Sequence, residues 1–187
     1  MDQIDLLRHT IGTLVRLEIP YLVVGSYASS AWGETRYTSD IDIVIDLRRD
    51  QIQPFCLSFS APEFYVSEAA AHEAVTYRKQ FNVVHPVSGC KVDLMIARDD
   101  LWSRSQMQRG RVGHMADFSV RFCSPEDTII SKMRYYKEGD SPKHLRDIAG
   151  ILRVQGEAVD REQIVKWAES LNLMDIWKTV LSHPKLQ

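Results

Sequence analysis

Tyr21-Leu22-Val23-Val24-Gly25-Ser26 and Asp40-Ile41-Asp42-Ile43-Val44-Ile45-Asp46 are the two stretches on which the reading of the fold turns. The first is a short apolar run, as expected of a buried strand. Gly25-Ser26 ends it, and Tyr27 to Trp32 reads as a short helix. The second alternates acidic and apolar residues, which predicts another strand. Residues two apart on a strand share a face. Asp40 and Asp42 therefore point the same way, roughly 6–7 Å apart along the backbone, while Ile41, Ile43 and Ile45 point into the core. Two carboxylates on one face repel unless a positive charge lies between them. A hard divalent cation answers that need, and Mg²⁺ suits oxygen ligands together with substrate phosphates. Gly25 lets the backbone approach a phosphate, and Ser26 offers a hydroxyl and a helix-N-terminal N–H. Asp46 shares the face but lies roughly 13 Å from Asp42, so it reads as a strand terminator.

The bulk properties bound the rest. A chain of 187 residues is one domain, or one domain with an appendage, and is long enough to bury a real core. Hydrophobic content of 44% and charged content of 26% are ordinary for a globular protein. A net charge of −2 gives no global attraction to nucleic acid, so a polyanion would need a local basic patch. Cys56, Cys90 and Cys123 form no close pair, and the six histidines show no paired metal-ligand spacing, which argues against zinc. The cysteines read as small apolar residues in a reducing compartment. No apolar run approaches a membrane span and no signal-peptide pattern opens the chain, so a cytoplasmic protein without a membrane partner is expected.

Along the chain, Ile4, Leu7, Ile11 and Leu14 recur at helical spacing and predict an amphipathic helix ending before Pro20. Residues 50–60 read as a helix closed by Pro62, and 68–75 as a weaker, Ala-rich one. Arg78 to His85 and Lys91 to Ile96 read as strands paired across Pro86-Val87-Ser88-Gly89. A helix over 99–108 follows, capped by Asp99 or Asp100, then short strands near 112–114 and 119–122. Ser124-Pro125-Glu126-Asp127 is a helix start, with Ser as cap, Pro at the first position and acids in the first turn. Ile129, Ile130, Met133 and Tyr136 make its apolar face. Gly139 to Pro142 breaks it, and helices over 143–154, 161–171 and 174–181 complete the chain.

Val24-Gly25-Ser26, thirteen spacer residues, then Asp40-Ile41-Asp42-Ile43 resembles the signature of the DNA polymerase β-like nucleotidyltransferase superfamily. That family has a third carboxylate between apolar residues on a later strand, and Lys91-Val92-Asp93-Leu94-Met95-Ile96 matches it. The resemblance implies an α/β (α+β) nucleotidyltransferase fold, a mixed β-sheet flanked by helices with a C-terminal helical layer. It also implies a core over residues 1–123, a helical segment over 124–187 packed on it, and a hairpin that carries Asp93. Within the superfamily, Ser124-Pro125-Glu126-Asp127 with Ile129, Lys132 and the later Arg146-Asp147-Ile148 looks like the helical segment of abortive-infection-type enzymes, some of them type IV toxins. That likeness implies that Lys132 contacts phosphates and that Asp147 orients Lys132 or Arg146. Arg36, Arg78 and Lys79 are further candidates to meet triphosphate or acceptor. The chain departs from the toxin branch in having no extended C-terminal helical domain for a large acceptor.

The activity so implied is Mg²⁺-dependent transfer of a nucleoside monophosphate from a triphosphate to a hydroxyl, with ATP among the donors. Two ions about 3.5–4 Å apart can neutralise both ends of such an in-line displacement. Asp40 and Asp42 would bridge them, and Asp93 would hold the ion that activates the acceptor. The acceptor is left open between tRNA or other RNA, a protein hydroxyl and a small molecule. Two other readings stand beside this one: a non-catalytic nucleotide-binding module, and an interaction protein paired with a cognate antitoxin.

Overall fold

Asp2 opens the first helix. Its carboxylate accepts from the Asp5 N–H, and the Asp5 side chain accepts from the Asp2 N–H, a reciprocal cap. The helix, α1 (Gln3–Arg16), buries Leu6, Leu7, Ile11 and Leu14. The computed structural model describes residues 1–182. The last five residues of the expected C-terminal segment, 183–187, lie outside the described residues.

After α1 come β1 (Tyr21–Val23), α2 (Gly25–Trp32), β2 (Ile41–Ile45), α3 (Ile52–Leu57), β3 (Tyr65–Val66), α4 (Glu68–Tyr77), β4 (Gln80–His85) and β5 (Cys90–Ile96). Then follow α5 (Leu101–Arg109), β6 (Arg111–Met115), β7 (Phe118–Phe122), α6 (Pro125–Gly139), α7 (Pro142–Gln155), α8 (Arg161–Ser170) and α9 (Met174–Leu181). Two differences from the sequence reading have local causes. The helix expected over 50–60 is confined to α3, and its first turn at 49–51 is a tighter 3₁₀ turn. Pro54 has no N–H to give to the preceding turn. The two-residue strand β3, paired with β4, is too short for any periodicity to reveal. Asp100 rather than Asp99 caps α5, accepting from the Ser103 N–H at 2.7 Å.

The strands form one mixed sheet in the order β3-β4-β5-β2-β1-β7-β6. The hairpin from β4 to β5 closes with His85 opposite Cys90. The central pair, β2 and β5, runs parallel. One face of the sheet is apolar: Ile41, Ile43, Ile45, Val92 and Leu94 are wholly buried in a core shared with α1, α3 and α4. Burying a side chain of this size stabilises a fold by about 1.5–3 kcal/mol. The other face carries Asp42, Val44, Asp93 and Met95.

A second apolar cluster joins α5, α6, α7, α8 and α9 through Trp102, Ile130, Met133, Ile151, Ile164 and Trp177. Trp32, the last residue of α2, packs against both clusters. Its Nε1 donates to the Cys123 carbonyl at 2.6 Å, and its own carbonyl accepts from Gln155. The first turn of α6 is tied down by ions. Arg109 grips the wholly buried Asp127 at 2.5 Å, and Arg111 grips Glu126 at 3.1 Å. Glu126 and Asp127, legible in the sequence as acids favoured at a helix start, are also ion-pair partners of α5 and β6.

Candidate active site

The register of the central strands places the carboxylates. In the β2–β5 pair, Asp42 lies directly beside Asp93, and Ile41 beside Val92. Parallel neighbours are about 4.8 Å apart, so the two carboxylates share one face and one level. Asp40, just before β2, enters from the same side and is largely exposed, whereas Asp93 is mostly buried. The Asp42 carboxyl is held above the usual range, first by burial and then by the charges of Asp93 and Asp40.

Lys91 sits between them. Its Nζ donates to Asp93 Oδ2 at 2.8 Å and lies 3.9 Å from Asp40 Oδ1. The bond to Asp93 pushes the ammonium pKa upward. Lys91 was not among the residues singled out from the sequence. The available signal was its spacing, two residues before Asp93 and so on the same strand face.

Gly25 closes the patch from above. Its φ is +63°, a left-handed conformation that favours glycine. A Cβ there would lie 2.2 Å from Asp42 Oδ2. The Val24 N–H donates to the Asp42 carbonyl at 2.9 Å, which fixes the strand end against β2.

A second group lies at the start of α2, facing α6 and α7. Arg36 Nη2 donates to Ser26 Oγ at 2.5 Å, and Arg36 Nε donates to Asp147 Oδ1 at 3.1 Å. Lys132 Nζ donates to Asp147 Oδ2 at 2.7 Å. Lys132 and Asp147 are both almost wholly buried. Burial lowers the Lys132 pKa, while Asp147 and the more distant Asp42 oppose that shift. Lys132 and Asp42 thus lie within reach of each other's charge, which makes the two groups neighbours. Tyr135 and His144, also unforeseen, face each other nearby with ring centroids 5.8 Å apart.

Asp40, Asp42, Asp93 and Gly25 thus meet in one patch, and Ser26, Lys132 and Asp147 adjoin it. Arg146 does not join them. It is exposed on α7, and Arg36 stands on Asp147 in its place. Arg78 donates to the Ala97 carbonyl and Lys79 pairs with Glu73, both away from the carboxylates.

The donor chemistry suits a hard cation: three carboxylates, all oxygen, one of them burdened by its neighbours' charge. An ammonium drawn in between two of them shows the same preference. Among the described residues no group of three or more His, Cys, Asp or Glu side chains is placed to hold a metal ion as the side chains stand, with Lys91 drawn onto Asp93. A divalent ion held by Asp40, Asp42 and Asp93 would displace Lys91.

No family model matches the chain, and no curated protein matches it in sequence. Solved structures do match it in shape. ANT(2'')-Ia in complex with adenylyl-2''-tobramycin superposes with a TM-score of 0.62 at 16% identity, covering 94% of this chain and 98% of that one. The solution structure of the same antibiotic-resistance factor gives 0.59 at 14% identity, covering 95% and 97%. An antigenic nucleotidyltransferase-like protein from Paracoccidioides brasiliensis gives 0.52 at 16% identity, covering 92% and 89%. The chain has the nucleotidyltransferase fold, a mixed sheet flanked by helices. No helix among the described residues is long and apolar enough to cross a membrane.

Proposed function

We propose that the protein is a nucleotidyltransferase that moves a nucleoside monophosphate from a triphosphate to a hydroxyl acceptor. The observation that carries this reading is the pairing of Asp42 with Asp93 in register, beneath the Gly25 backbone. In the reaction the acceptor oxygen attacks the α-phosphorus, the α–β anhydride bond breaks, and pyrophosphate leaves. Asp40, Asp42 and Asp93 would hold Mg²⁺, which supplies charge neutralisation at the α-phosphate and the leaving oxygen. Ser26 and the α2 N-terminus bind the triphosphate, with Arg36 and Lys132 as cations for its outer phosphates. Asp147 orients both of those cations. Asp93 takes the proton from the acceptor hydroxyl.

Lys132 and Asp147 in contact are consistent with the abortive-infection branch, whereas Arg146 stands outside the site. Incubation with each α-³²P-labelled triphosphate and Mg²⁺ tests the reading. Total RNA, total protein, a small-molecule extract and tobramycin serve as acceptors. Label should enter one acceptor class with the parent, with neither Asp42→Asn nor Asp93→Asn active, and Asp93→Asn should retain most triphosphate affinity. Absence of label from every acceptor, or full activity in Asp93→Asn, overturns it.

A further inference from the structure

A cavity of about 540 Å³ lies between the open face of the sheet and α5 and α6. Val44 and Met95 form its floor. They follow Asp42 and Asp93 by two residues on their strands, so the cavity continues the active-site face. Gly25, whose backbone abuts the Asp42 side chain, is among its lining residues. The volume is that of a small-molecule site.

The lining is basic. Arg78, Lys79, Arg98 and Arg134 border the cavity, against one acid, Glu138. Lys79 is paired with Glu73, but among the described residues Arg78, Arg98 and Arg134 have no carboxylate at ion-pair distance. Arg134 is instead stacked over the Trp102 ring, 4.9 Å from its centroid. Asp100 lies near enough to Arg134 and Arg98 to feel their charge, but its carboxylate is engaged in capping α5. The indole of Trp102 is more than nine-tenths buried, lines the cavity, and its Nε1 has no partner. Guanidiniums over an apolar floor form a receptor for an anion with an apolar body.

We infer, building on the transferase reading above, that the acceptor is a small hydroxyl-bearing molecule with a phosphate or carboxylate group. The anionic group meets Arg98 and Arg134, and the hydroxyl reaches past Gly25 toward Asp93. A polycationic amine such as an aminoglycoside would meet repulsion from the same arginines. The cavity also has room for a single small molecule rather than a folded RNA.

The test uses the full chain with Mg²⁺ and saturating α,β-methylene-ATP, which keeps the triphosphate position filled. Ribose 5-phosphate and glycerol 3-phosphate are the phosphate probes, gluconate the carboxylate probe, and ribose and tobramycin the neutral and cationic controls. Calorimetry should show binding of an anionic probe and not of the controls. Arg98→Gln/Arg134→Gln should weaken that binding about tenfold or more, the loss expected of hydrogen bonds to charged groups, with α,β-methylene-ATP affinity unchanged. Binding of the controls in preference, binding of no probe, or an unchanged double variant overturns the inference. With α-³²P-ATP, transfer to ribose, tobramycin or RNA in preference to the anionic probes also overturns it while leaving the transferase reading intact. Anionic probes that bind but accept label from no triphosphate, with every other acceptor also unlabelled, sink the transferase reading and retain the anion site.

Discussion

Gly25 and Asp42 occupy mutually dependent positions: a single added methyl at Gly25 would sit 2.2 Å from Asp42 Oδ2. The carboxylate is the movable partner, so its displacement, rather than unfolding, is the main consequence. Gly25→Ala should lower the melting temperature modestly, reflecting about 1–2 kcal/mol of left-handed strain. It should cost a much larger factor, about a hundredfold, in transfer. Thermal melts beside initial rates measure both. An Ala variant that turns over like the parent would show that the position of Asp42 is not set by Gly25.

Asp42 is half-buried and crowded by two other carboxylates, and its folded-state pKa is raised. A raised carboxyl contributes stability that is present below its unfolded pKa and lost as pH rises through the folded value. The metal-free protein should therefore be relieved by Asp42→Asn at neutral pH, by ~2–4 °C in melting temperature, the equivalent of about 1 kcal/mol in a domain of this size. The gain should disappear below about pH 3.9, the unfolded-state value. Melts across that range in chelator give the answer, and a gain that persists in acid would contradict the electrostatic account.

Lys132 and Asp147 form a buried pair, 2.7 Å apart. Removing one member of such a pair leaves a charge without water or partner. Lys132→Met should destabilise by about 3 kcal/mol, at the low end of such losses because Arg36 still contacts Asp147. Lys132→Met/Asp147→Leu should recover most of that stability. Neither should bind triphosphate like the parent. Denaturant titration of both variants separates scaffold from site, and a single variant as stable as the parent would mean the pair contributes nothing.

Lys91 competes for the position a divalent ion would take. Lys91→Met should tighten Mn²⁺ binding about fivefold, the equivalent of about 1 kcal/mol of charge–charge repulsion at 4 Å in water. The loss of free Mn²⁺ signal in electron paramagnetic resonance measures it directly. Weaker binding in the variant would instead make Lys91 an organiser of the carboxylates.

Much of this architecture was legible because the sequence spells it locally. The alternation from Asp40 to Asp46 shows both which face Asp42 takes and which isoleucines are buried. The Ser124-Pro125 start announces α6. Pairing between strands is another matter. Nothing near Asp93 states that it lies beside Asp42, since register is set by the whole packed sheet; only the family likeness brought the two together in advance. Arg36 and Arg146 show the same limit from the other side. The sequence sets Arg146 beside Asp147 and Arg36 far from it, and the path of the 33–40 loop brings Arg36 onto the carboxylate. Lys132, at the margin of an apolar face, is compatible with snorkelling outward or turning inward. The closeness of α7 buries it.

Trp32 has one further implication, for how the molecule comes apart. Its ring belongs to both apolar clusters, and its Nε1 and carbonyl hold Cys123 on one side and Gln155 on the other. Neither cluster can melt without stripping this indole of half its surroundings. This indole couples the sheet to the C-terminal helices, and a grafted or exchanged helical half would inherit a misfitted joint at this single side chain.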